Sequence, residues 1–167
     1  MPIDDFAAWK NELLFTGRIV QDDDNSVDPE EAHRRFLQYC ELVEQLDGSE
    51  GPEALAALIQ SVQMKNDYGA YQTTYRIMGR FPDNVFTQVL VHELPKLIER
   101  QPDWAGDFLV GIANGQGGKW DYHIAMFNDA VRSASPSVRN AIVNYVRSQE
   151  PSGWFEHRVG VLCPGLQ

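Results

Sequence analysis

The sequence predicts an all-α fold, a compact multi-helix arrangement of about eight helices. Three observations predict it. First, a proline opens one segment after another: "DPE" at 28–30, "GPE" at 51–53, "FPD" at 81–83, "QPD" at 101–103 and "SPS" at 135–137. Proline in the first helical turn loses nothing, because its missing N–H would have no partner there, and an acid beside it meets the positive end of the helix dipole. Second, the residues after each proline place apolar side chains at helical spacing. Third, no alternating strands joined by hairpin turns occur, which argues against a large sheet.

Taken in order, the first helix spans residues 3–15. The acidic stretch "QDDDNSVDP" follows as a polar loop over 21–28, expected to be mobile. Asp28 caps the second helix, 29–47, whose apolar face carries Phe36, Tyr39, Cys40, Leu42, Val43 and Leu46. The third helix, 52–65, repeats apolar residues at Leu55, Leu58, Ile59 and Val62. Tyr68, Tyr71 and Tyr75 lie at i, i+3 and i+7 along a fourth, 68–79. The fifth, 82–100, contains Pro95, which predicts a kink or a split. Trp104, Phe108, Leu109 and Ile112 form the face of the sixth, 102–113. A seventh spans 119–133. Ser135 caps the eighth, 136–149, which carries Val138, Ile142, Tyr145 and Val146. The tail, 152–167, reads as helix or as a short extended segment. "FPDNVFTQVLVHEL" and "QPDWAGDFLVGIAN" echo each other at an offset of 20 residues, which suggests a short HEAT-like helical stack as well as a bundle. Residues 1–167 read as a single helical domain.

A chain of 167 residues with 43% hydrophobic content has enough apolar area for a sizeable core. The longest apolar runs, such as "VFTQVLV" at 85–91, fall far short of the about 20 residues that a membrane span needs. "MPIDDFAAWK" lacks the basic flank and apolar stretch of a secretory signal. Cys40 and Cys163 make neither a disulfide framework nor a zinc pattern. The expectation is a cytoplasmic protein without membrane contact. Net charge is −10, which disfavours direct nucleic-acid binding. The excess is uneven: residues 1–60 hold 14 acidic and 4 basic residues, whereas 61–167 hold 10 of each. That is either a solvated surface or a field that steers a basic partner.

Catalytic and cofactor motifs fail on counting. In "ANGQGGKWDYH" at 113–123, Gly118-Lys119 matches the end of a phosphate-binding loop, but the first glycine falls on Ala113 and Trp120 replaces the magnesium-binding hydroxyl. The stretch therefore reads as a helix joint, with Gly115 expected in the left-handed position that ends a helix. "HELPK" at 92–96 has Lys96 where a zinc protease needs its second histidine. Counted as a calcium loop, "DDDNSVDPEE" puts Val27 at the glycine position and His33 at the bidentate glutamate. No nucleophile elbow exists, and Cys40 reads as a buried, inert thiol. No cofactor, metal or catalytic residue is expected.

What remains is surface recognition. Asp22, Asp23 and Asp24 form the acidic loop; Tyr68 and Tyr71 share one helix; Asp103, Trp104 and Asp107 open another. The 113–123 joint presents Lys119, Trp120, Asp121 and Tyr122 at the start of a helix. Aromatics beside acids suit the anchoring of a basic partner, although any single one of them more often fills the core.

The stretches "YQTTYRIMGRFPDNV", "LPKLIERQPDWAGDFLVGIANG" and "SPSVRNAIVNYV" within 52–150 resemble the helical immunity proteins of bacterial polymorphic toxin and contact-dependent inhibition systems. The resemblance implies a non-enzymatic inhibitor that binds a cognate toxin domain, a basic nuclease in many systems, and blocks its active site or substrate groove. A helical adaptor with a non-toxin partner fits the same residues. An enzyme would require a carboxylate pair assembled only in three dimensions.

Overall fold

The computed structural model describes residues 3–151, 153–155 and 157–166. They form eight α-helices and one short 3-10 helix, and no strand occurs among the described residues. The helices are α1 (Phe6–Thr16), α2 (Pro29–Glu44), α3 (Pro52–Ser61), α4 (Ala70–Met78), α5 (Asp83–Arg100), α6 (Pro102–Ala113), α7 (Asp121–Ser133) and α8 (Pro136–Gln149). The fold is all-α, as the helical periods require. None of the helices is long and apolar enough to cross a membrane. The chain divides into two compact units, residues 1–86 and 87–167.

The proline starts explain the helix boundaries. Pro29, Pro52, Pro102 and Pro136 each open a helix, and Pro82 immediately precedes α5. Asp28 accepts the Glu30 N–H at 2.8 Å and Ser135 accepts that of Val138 at 3.4 Å. Asp5 caps α1 through Ala8 at 2.9 Å. Pro95 does not split α5, which runs unbroken from Asp83 to Arg100. The neighbours Leu94 and Leu97 are buried, so packing of that face outweighs the hydrogen bond the proline removes.

In unit 1, α1 packs on α2 and α3, and α4 packs on α2 and α3. Leu13, Tyr39, Val43, Leu55, Leu58, Tyr71 and Ile77 are buried there. Two tyrosines bind the helices through polar contacts inside this apolar surround. Tyr39 shares hydrogen bonds with Ser61 of α3 at 2.8 Å and Thr74 of α4 at 2.6 Å. Tyr71 donates to the Gly17 carbonyl at 2.7 Å and accepts from the Gln63 and Met64 N–H groups at 3.0 and 2.9 Å. Gly48 turns the chain before α3 at φ +98°, where a Cβ would stand 2.4 Å from the Arg80 carbonyl oxygen.

In unit 2, α7 packs against α6 and α8, and the 3-10 turn Gly153–Phe155 packs on α6 and α8. Leu109, Phe127, Val131, Ile142, Val146 and Phe155 are buried. The tail is neither a continued helix nor an extended strand: after the 3-10 turn it runs through successive turns over 157–165, with Ser152, Glu156 and Gln167 outside the described residues. Asn128 of α7 fixes it from both sides of its amide, donating to the Val161 carbonyl at 3.1 Å and accepting from the Cys163 N–H at 2.7 Å.

Candidate functional site

The residues singled out in the sequence fall into three separate places. The first is in unit 1. Asp22, Asp23 and Asp24 are exposed on the loop between α1 and α2. The start of their loop is hydrogen-bonded to the segment before α4. Gln21 donates to the Ile19 and Asn66 carbonyls, both at 2.9 Å, and the Asp22 N–H donates to the Tyr68 hydroxyl at 3.2 Å. Asp24 accepts from the Ser26 hydroxyl and backbone N–H, which lowers its carboxyl pKa. Tyr68 is thus joined to the loop at Asp22 and is 48% exposed.

Two tyrosine expectations need correction. Tyr68 is not on a helix: it adopts φ +50°, Gly69 follows at φ +92°, and α4 begins at Ala70. Tyr71 does begin the helical face but is fully buried. Its hydroxyl is consumed by the Gly17–Gln63–Met64 contacts, so it is a core residue and no anchor. Cys40 is likewise only half-buried, in contrast to its expected core position, and desolvation raises its thiol pKa. Cys163 is the buried thiol, and burial lifts it to about 11.

The second place is the start of α6. Asp103 and Asp107 are exposed, one turn apart, and Trp104 between them is half-buried. Desolvation, followed by repulsion from Asp103, raises the Asp107 carboxyl. Tyr145 of α8 donates its hydroxyl to the Pro102 carbonyl beside them. Desolvation again dominates the raised pKa of that phenol, and the two aspartates add to it. Sequence reasoning assigned Tyr145 only to the apolar face of α8, and no local signal ties it to a segment 43 residues away.

The third place is the joint between α6 and α7. Its glycines act differently from expectation. Gly115 is not left-handed; Gly117 is, at φ +71°. Gly115 is instead required by close approach, since a Cβ there would lie 2.8 Å from the Trp120 carbonyl oxygen. Consecutive turns fix the joint: the Gly118 N–H reaches the Gly115 carbonyl at 3.0 Å and the Asp121 N–H reaches the Gly118 carbonyl at 3.1 Å. Asp121 accepts the Gly117 N–H at 2.9 Å, so its carboxylate braces the loop. The result is an aromatic platform. Trp120 and Tyr122 are 49% and 44% exposed, with ring centroids 6.3 Å apart. His123 stacks with Trp120 at 5.4 Å and meets Tyr122 edge-on at 4.3 Å. The Lys119 ammonium lies over the Trp120 ring, 4.7 Å from its centroid. His123 was missed by sequence reasoning, although its spacing from Trp120, three residues, was the signal for a pair one turn apart.

No family model, curated protein or solved structure matches this chain. Chemical reading of the site therefore rests on its own residues. Among the described residues, no three His, Cys, Asp or Glu side chains gather as metal ligands. The asparagine, tyrosine and glycine contacts above serve the fold. Negative charge lies beside an exposed aromatic ring at the first and third places, and beside the half-buried Trp104 at the second.

Charge sorts between the two units. Unit 1 holds 16 acidic and 7 basic residues, a net of −9, and unit 2 holds 8 and 7, a net of −1. Several unit 1 acids are already paired. Glu31 receives Arg34 and Arg35 at 2.8 and 2.6 Å, which lowers its carboxyl to about 2, and Glu44 receives Arg76 at 2.7 Å.

Proposed function

We propose that this chain is an immunity-type inhibitor that binds a basic protein toxin domain, a nuclease in the form the charge fits best, and covers its active site or substrate groove. The observation that carries the reading is the concentration of nine of the ten net negative charges in unit 1, with Asp22, Asp23 and Asp24 exposed on one loop and the Asp22 N–H on the exposed Tyr68 hydroxyl. A cationic groove that normally holds phosphates accepts such a surface as a substitute polyanion, and opposite charge speeds the encounter. The hydrogen bonds at the start of that loop lower the ordering cost of binding. The protein acts by occupation, without catalysis and without a cofactor, and works in the cytoplasm where the toxin would otherwise act.

The test is co-purification with the product of the adjacent reading frame, followed by growth rescue of cells that express it. The wild-type chain is expected to form a one-to-one complex and restore growth. Reversal of Asp22, Asp23 and Asp24 to lysine is expected to weaken both, with helicity unchanged because all three side chains are exposed. A wild-type chain that neither binds nor rescues overturns the reading.

A further inference from the structure

The platform at the head of α7 has a chemistry of its own. It consists of two rings close to half-exposed, Trp120 and Tyr122, with His123 stacked beside them. Three features show it to be built in advance. Gly115 lets the Trp120 backbone settle where a side chain would collide. Successive turn hydrogen bonds fix the 115–121 backbone. Asp121 closes the loop onto the Gly117 N–H. Rings held this way lose little freedom on binding, which is what makes aromatic anchors effective.

The occupant is indicated by what already rests there. Lys119 places a cation 4.7 Å over the Trp120 ring, so the face is used for cation–π contact within the chain itself. Asp121, the next residue along the chain, is exposed and carries the opposite charge. A partner drawn by the charge of unit 1 is rich in arginine and lysine. Of these, arginine stacks its planar, weakly hydrated guanidinium on an indole better than an ammonium does.

We propose that the Trp120–Tyr122–His123 platform receives an arginine side chain of the partner protein, and that Lys119 is the group it displaces. This rests on the reading of the chain as a binder of a basic protein and names the chemistry of one contact.

The probe is a hexa-arginine peptide titrated into the full chain, followed by the indole N–H resonance of Trp120 and compared with hexa-lysine. Trp120→Phe assigns that resonance. The expected result is movement of the Trp120 indole, with hexa-arginine binding more tightly than hexa-lysine. Trp120→Ala is expected to weaken the arginine peptide about two- to fivefold, the size of an exposed cation–π contact. Lys119→Ala is expected to tighten it, and by more than Lys65→Ala, which removes the same charge from an exposed site elsewhere. A still Trp120 indole with shifts confined to 22–24 and Tyr68 overturns the proposal. So does a Lys119→Ala chain that gains no more than Lys65→Ala. Failure of growth rescue by the wild-type chain would remove the toxin-binding reading, whereas the peptide titration decides the platform independently.

Discussion

At the scale of single residues, Tyr68 and Tyr71 have opposite fates although they share a spacing. The left-handed backbone at Tyr68 and Gly69 breaks the helical register before α4 begins. Tyr71 then enters the core and meets the Gly17 carbonyl, 54 residues away in sequence. Tyr71→Phe keeps the ring but strips the Gly17 carbonyl and the Gln63 and Met64 N–H groups of one partner each. Leaving such groups short costs about 2–3 kcal/mol in total. In a chain of this length that lowers Tm by roughly 5–10 °C. Tyr68→Phe loses one exposed bond, to the Asp22 N–H, and is expected to stay within about 0.5 kcal/mol of wild type. Thermal unfolding of the two variants checks the contrast, and equal losses would show that the Tyr71 hydroxyl is not the hub described. The burial of Tyr71 could not be read from its neighbours in sequence, because its deciding partners come from the end of α1 and the segment after α3.

At the scale of elements, legibility follows locality. Prolines and caps act within a few residues, so the starts at Pro29, Pro52, Pro102 and Pro136 were readable from the chain. The glycine joint was not, because its requirement is set by a carbonyl five residues on. Sequence points to Gly115 as the left-handed residue, yet it is Gly117 that adopts the left-handed region, and Gly115 needs the absence of a side chain. Gly115→Ala drives a Cβ to 2.8 Å from the Trp120 carbonyl oxygen, whereas Gly118→Ala makes its nearest contact at 3.4 Å. Backbone that must shift to admit a methyl loses about 1–3 kcal/mol. Gly115→Ala is therefore expected to unfold at lower denaturant and to alter the near-ultraviolet circular dichroism of the Trp120–Tyr122–His123 cluster. Gly118→Ala is expected to leave that signal unchanged. Identical spectra for the two would mean that the platform does not depend on the Gly115 contact.

At the scale of the whole molecule, the proposed binding of a basic partner gives charge and rings different parts. The acidic excess was visible in the first 60 residues, and the two-unit division extends it: −9 on unit 1 against −1 on unit 2. Which acids remain exposed was not visible, since Glu31 and Glu44 are claimed by arginines and Asp22 and Asp23 are not among the ion-paired residues described. Exposed charges act across roughly 10 Å at about 0.1 M salt and over only about 3 Å at 1 M. Salt should therefore slow the encounter with the proposed basic partner and, because the acidic loop is proposed to occupy its groove, raise the dissociation rate less steeply. Reversal of Asp22, Asp23 and Asp24 to lysine changes the net charge by two at each position, from −10 to −4, and should flatten the dependence of the association rate on salt. Loss of the Trp120 ring should do the converse, raising the dissociation rate while the salt dependence of association persists, because apolar and cation–π contacts form after the encounter. Stopped-flow association and dissociation rates across a salt series separate the two effects. A dissociation rate indifferent both to salt and to reversal of the three aspartates would place the acidic loop outside the final interface, in the long-range field alone, and would overturn its proposed place in the groove.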